Sequence, residues 1–136
     1  MITVNGGVSI TKLTDRLYRL NDPITADDGR LITAKAGYIT DGASIPRFLW
    51  ALVGSPWTGY YTRAAIIHDL LCERRCYDDG TPISRADADY IFFQICIADG
   101  ERPIKSIVLY IGVRIGGLSG WKRKRKLYLH RICGLI

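Results

Sequence analysis

Two polar segments interrupt apolar surroundings, and their residue types are those of acid–base chemistry. Thr40-Asp41-Gly42-Ala43-Ser44-Ile45-Pro46-Arg47 lies where an extended run gives way to a helical one, a kind of turn that aims side chains outward and often carries sites. Ala64-Ala65-Ile66-Ile67-His68-Asp69 lies inside a long apolar helical pattern. An imidazole oriented by a carboxylate can take up a proton and return it. Asp89, beside the apolar seam of the next helical segment with Phe92 and Phe93, is the first choice of partner for His68, and Asp41 the second. Asp89 needs a partner in any case, from His68, Arg47, Arg63 or Arg114, because an aspartate among apolar side chains is costly alone. Asp69 points about 100° away from His68 around the helix, so the two do not face one pocket squarely.

Three chemistries compete for these residues. Ser44, His68 and an aspartate are the residue types of a nucleophilic triad, but no Gly-x-Ser-x-Gly elbow is present, and Ser44 before Ile45-Pro46 reads equally as a helix N-cap. Asp41 and Gly42 can likewise serve the turn itself, by bonding backbone N–H groups and by supplying a positive φ. His68 with Asp41, Asp69 or Asp89 has the ligand types of a mononuclear metal site. Cys72 and Cys76 follow His68 at four-residue intervals along one side of a helix, but no fourth ligand is announced. There is no phosphate-binding Gly-rich loop, no dinucleotide glycine pattern and no His-Glu-x-x-His. No motif is complete, so no metal or cofactor is assigned, and His68 reads as a buried, carboxylate-paired histidine.

The elements that position these residues divide at about residue 44. Before it, Val8 to Leu13, Arg16 to Leu20 and Leu31 to Thr40 read as strands, with a turn at Asp27-Asp28-Gly29. After it the period is helical. A first helix follows Ser44 and stops at Gly54-Ser55-Pro56. A second runs from about Tyr60 to Arg75, and its stripe of Ala64, Ala65, Ile67, His68, Leu71 and Cys72 makes it central. Ser84-Arg85-Ala86-Asp87 is a capping box opening a third helix to about Ala98. A fourth follows Pro103, with Ile104, Ile107, Val108 and Ile111 expected inward, and a short basic helix runs from Trp121 to about Ile132. The expected fold is α+β: a small N-terminal antiparallel sheet packed on a bundle of four to five helices, with residues 1–136 as one domain and 119–136 as a basic C-terminal helical extension.

Composition agrees with a globular chain: 136 residues, 48% hydrophobic and 24% charged. These values exclude disordered and collagenous classes. No apolar run reaches the roughly 20 residues of a membrane span, and no signal peptide is visible. With no such signal, the four cysteines are expected as reduced thiols. The net charge of +6 is local. Without Lys122, Arg123, Lys124, Arg125, Lys126 and Arg131 the chain has 13 basic and 13 acidic residues. Such a block suits an anionic partner, either a neighbouring protein or nucleic acid. A membrane is the less expected partner, because the apolar side of that segment is short and suited to internal packing.

Thr40 to Arg47, Trp50, Ala64 to Asp69, Ser84 to Asp89 with Phe92, then Tyr110, Val113 and Arg114 resemble, in that joint order, the small phage and prophage family catalogued as domain of unknown function 1353. The resemblance covers roughly residues 16–121. The chain departs from it near Cys72, where the family's His-Asp segment typically runs on to a tyrosine, and the basic C-terminus looks like an extension of the shared pattern. The resemblance implies a tailed-phage or prophage origin, in the virion or the host cytoplasm, and draws attention to Asp41, Ser44, His68, Asp69 and Asp89. The leading expectation is an accessory protein of the virion or its assembly, in contact with other phage structural proteins. A phage hydrolase acting through His68 with nearby carboxylates, with cell wall as one candidate substrate, is the alternative, and a nucleic-acid-binding accessory using residues 122–131 is the third.

Overall fold

A computed structural model describes residues 2–15, 17–40, 51 and 60–116. Six short strands lead: β1 (Thr3–Asn5), β2 (Ile10–Lys12), β3 (Tyr18–Leu20), β4 (Ile24–Asp27), β5 (Leu31–Ala34) and β6 (Ile39–Thr40). Three helices follow: α1 (Thr62–Arg74), α2 (Arg85–Ala98) and α3 (residues 103–116). The α+β class is as expected. Three helices stand among the described residues, against the four to five expected; the helices expected after Ser44 and from Trp121 fall almost entirely outside them.

The strands form two antiparallel three-stranded sheets, ordered β1-β4-β5 and β2-β3-β6, where one sheet was expected. The sequence run from Leu31 to Thr40 is not one strand. Gly37 adopts φ +91°, and the Tyr38 amide closes a turn on the Lys35 carbonyl at 3.1 Å. The chain therefore leaves the first sheet at Ala34 and enters the second at Ile39. Leu20 holds the changeover: its carbonyl accepts from the Gly37 amide and its amide donates to the Tyr38 carbonyl. β1 and β4, which sequence reading missed, are three and four residues long, too short for period-two alternation to stand out. Within the first sheet the alternation is regular. Ile24 and Ala26 on β4, and Ile32 and Ala34 on β5, are buried, and both strands pack on α1.

Gly6 carries the bend after β1. It sits at φ +103°, and a Cβ there would run into the Pro23 carbonyl oxygen. Gly6→Ala should therefore cost about 2–3 kcal/mol through left-handed strain and backbone displacement. Gly7→Ala is the control, since a Cβ at Gly7 meets nothing within 4 Å. Urea melts of the two variants check this: a loss confined to Gly6→Ala is expected.

α1 is central, as its apolar breadth predicts. Ala64, Ala65, Ile66, Ile67, His68, Asp69, Leu71 and Cys72 are all buried. It packs on α2 and on both sheets. It stops at Arg75, whose amide makes the last helical bond to the Leu71 carbonyl at 2.9 Å and whose left-handed φ of 60° then turns the chain out of the helix. α2 starts as predicted, with the Ser84 hydroxyl accepting from the Asp87 amide at 3.1 Å. Between the helices, the Asp78 carboxylate accepts from the Thr33 amide and hydroxyl and pairs with Arg74, pinning the loop to β5. Arg63 ties α1 to two other elements. Its guanidinium forks onto the Asp99 carboxylate and also donates to the Val4 and Gly6 carbonyls.

α3 corrects an expectation. Leu109, Val113 and Ser106 face the core, whereas Ile104, Ile107 and Ile111 are exposed and Val108 is only partly buried. The helix is apolar on both sides, so hydrophobic period alone could not say which side is inward.

Three weak acids titrate late. Burial, then the nearby Glu101, pushes the Tyr61 phenol upward, and burial with Glu101 and Asp99 does the same to the Cys96 thiol. The Tyr77 phenol is pushed up to about 12 by burial and by its hydrogen bond to Asp28. In each case the folded state holds the proton more tightly than the unfolded chain. The associated stability is complete below the unfolded pKa, about 8.5 for a thiol and about 10 for a phenol. It is lost as pH rises through the folded values. Thermal midpoints should thus fall as pH rises above about 9, with tyrosinate absorbance lagging behind that of free tyrosine.

No disulfide joins Cys72, Cys76 and Cys96 to one another; Cys133 lies outside the described residues. Titration of freshly denatured protein should find all four thiols. In the native state Cys76, which is only half-buried, should react well before Cys72 and Cys96.

Candidate functional site

The network begins with two helical positions and the seam between them. His68 lies on the buried stripe of α1 and Asp89 on the buried side of α2. Packing α1 on α2 brings His68 Nε2 to 2.5 Å from Asp89 Oδ1, with both side chains wholly inaccessible. The carboxylate only accepts, so Nε2 carries the hydrogen and donates it. Nδ1 lies 3.7 Å from Cys72 Sγ, one helical turn on. The Phe92 ring closes the seam edge-on at 5.5 Å between centroids. The second carboxylate oxygen, Asp89 Oδ2, accepts from Arg114 Nη1 at 3.0 Å. Arg114 comes from α3 and keeps about a third of its side chain in solvent. One carboxylate thus joins three helices, and its charge is met by a guanidinium at the rim.

Asp69 faces the other way, as helical spacing requires. It is buried, and its Oδ2 accepts from the Tyr38 hydroxyl at 2.9 Å and the Thr40 hydroxyl at 2.8 Å. These donors come from the turn before β6 and from its last residue, two positions apart and so on one side of the extended chain. Asp69 therefore anchors the start of the Thr40 to Arg47 segment to α1. The two candidate segments do meet, and Asp69, not His68, makes the junction through Thr40.

Of the candidates read from sequence, His68 and Asp89 pair as expected, with Arg114 a second partner from the anticipated set. Arg63 is committed to Asp99 and the β1 carbonyls instead. Asp41, Ser44 and Arg47 lie outside the described residues, as do Lys122, Arg123, Lys124, Arg125, Lys126 and Arg131. The roles of Tyr38 and Thr40 went unread, whereas Cys72 lies beside His68 as the four-residue spacing implies. Tyr38 and Thr40 did carry a signal, a hydroxyl pair at period two leading into Asp41. Among the described residues no three His, Cys, Asp or Glu side chains converge to hold a metal ion.

Chemically, the His68 imidazole is fully engaged. One ring nitrogen is bonded to Asp89, the other faces a thiol, and neither meets solvent. A cleft of about 260 Å³ opens elsewhere, bordered by Asp28, Tyr77, Asp87 and Tyr90, and includes neither His68, Asp69 nor Asp89.

Two curated relatives come from Sinorhizobium fredii. The uncharacterized protein y4jT is 32% identical over 110 residues, which is 79% of this chain and 26% of that protein. The uncharacterized protein y4iH is 36% identical over 83 residues, 60% of this chain and 32% of that protein. The chain thus spans about a quarter to a third of the length of these relatives. No solved structure matches it significantly. The model of a family described as protein of unknown function, DUF1353, matches residues 18–113, the stretch that holds β3 to β6, all three helices bar the end of α3, and the whole His68–Asp89–Arg114 seam except Arg114 itself; the chain belongs to that family.

Proposed function

We propose that the protein is a small accessory of a tailed-phage or prophage particle or its assembly, acting through protein–protein contacts. The observation that supports this most is the sealing of the His68–Asp89 pair. A general base needs a lone pair within reach of a substrate proton, directly or through one water. Here both ring nitrogens are taken and both side chains are inaccessible. Such a pair locks helices together, and this weighs against a hydrolase working through His68. The phage setting rests on the order of the Thr40 to Arg47, His68-Asp69 and Ser84 to Asp89 segments. The partners in this reading are other structural proteins of the particle.

Purified particles and assembly intermediates from an induced lysogen test the proposal. The chain should co-fractionate with one of them at a fixed ratio to a structural protein. Release of soluble fragments from purified cell wall by the isolated chain, lost in His68→Ala, would instead make it a hydrolase. Residues 122–131 give a third outcome. Binding of random duplex DNA with a log–log salt slope of about −3.6, that of some four phosphate contacts, would make it a nucleic-acid accessory.

A further inference from the structure

The cleft of about 260 Å³ is lined by one face of α2, by the β4–β5 turn and by the loop after α1. Asp87, Tyr90, Ile91 and Gln94 share that face of α2 at helical spacing. Asp28 comes from the turn and Tyr77 from the loop. The volume lies below the roughly 300–1,000 Å³ of sites for drug-sized ligands and suits a single side chain.

The polar lining is set for a cation. Asp28 is held in place, with Oδ2 accepting from the Tyr77 hydroxyl at 3.0 Å and Oδ1 from the Arg30 amide at 3.3 Å. Among the described residues neither Asp28 nor Asp87 is ion-paired, and the Asp87 carboxylate and the Gln94 amide make no hydrogen bond. Both carboxylates act on the Tyr77 phenol, which puts them at one end of the cleft. The Arg30 guanidinium lies over the Tyr77 ring, 5.9 Å from its centroid, but is engaged by Asp79 and Thr81, neither of which lines the cleft. Two carboxylates with no third acid fall far short of the six to eight oxygens of a calcium ion. Carboxylates beside phenol rings match a guanidinium instead, which is planar, weakly hydrated, donates in a fork and stacks on aromatic faces.

The rim says where that guanidinium comes from. Tyr90 is 52% exposed and stacks on Phe93 at 6.2 Å, and Phe93 meets Tyr110 of α3 at 5.6 Å between centroids. This aromatic row leads away from the cleft over α2 to α3. A protein surface can cover the row while one of its side chains fills the cleft, whereas a free amino acid reaches only the cleft.

We propose that the cleft takes the guanidinium of an arginine side chain presented by a partner protein, held by the Asp28 and Asp87 carboxylates against the Tyr90 ring. The proposal goes beyond the accessory reading, which stands or falls separately on particle association.

Titration of the isotope-labelled full chain with N-acetyl-arginine N-methylamide, followed by amide chemical shifts, tests it. Saturable shifts at Gly29, Tyr77 and Tyr90 are expected, and none from the citrulline counterpart, which keeps the shape without the charge. Asp87→Asn removes a carboxylate that bonds to nothing in the fold and should weaken binding about tenfold. Tyr90→Ala should weaken it about threefold or more. Both variants should keep the native circular dichroism spectrum. The absence of a saturable shift, equal shifts from the citrulline compound, or unchanged affinity in Asp87→Asn would overturn the proposal. Tighter binding of free arginine than of the capped form would overturn the protein source and make the ligand a small molecule.

Discussion

Asp89→Ala is expected to remove about 3–5 kcal/mol of stability, and His68→Ala about 2–4 kcal/mol. The order follows from what each deletion leaves behind. Without Asp89, His68 Nε2–H is orphaned in a sealed seam and Arg114 loses its carboxylate. Without His68, Asp89 still accepts from Arg114, and the loss is one buried hydrogen bond plus a cavity beside Phe92 and Cys72. For a domain with about 5–15 kcal/mol in total, the first change removes a large share. The two sites touch, so the effects should not add. The double variant should be less destabilised than the sum of the singles, because each single deletion already breaks the shared bond. Urea melts of the four proteins measure that coupling. If His68→Ala kept native stability yet lost particle association, the seam would be a working site and its locking role would fall.

How far the sequence carried the structure depended on length and burial. The His68–Asp89 pair was legible because both residues sit on long amphipathic helices, where spacing fixes the face and a buried carboxylate demands a partner. Arg114 was only one of four options, since the bend from α2 into α3 decides which arginine arrives. The Ser84 cap was legible because a local hydrogen bond defines it. The two-sheet division was not: it turns on a single bend at Gly37 inside what reads as one extended run. The inward side of α3 was not legible either. Isoleucine lines one side and leucine with valine the other, and the core chose Leu109 and Val113. The unused isoleucines are then a property that only tertiary structure reveals.

Asp69→Ala should be the second large loss, about 3 kcal/mol, with Asp69→Asn nearer 1 kcal/mol. The carboxylate is buried and receives two hydroxyl donors on one oxygen, Tyr38 and Thr40. Hydrogen bonds to an ionised acceptor are worth roughly twice those to a neutral one. An asparagine oxygen can still accept from both hydroxyls, whereas alanine leaves two donors without their acceptor. The consequence is also directional. Thr40 ends β6, which is only two residues long and pairs with β3 through Tyr18 and Arg19. A strand that short leans on this anchor, so amide exchange at Ile39 and Thr40 should accelerate in Asp69→Ala far more than at Ala26 or Ile32 in the other sheet. In His68→Ala the same amides should change only with global stability, because His68 faces α2 and not β6. Equal acceleration at β6 in both variants would show that the helix, rather than the Asp69 carboxylate, holds the strand.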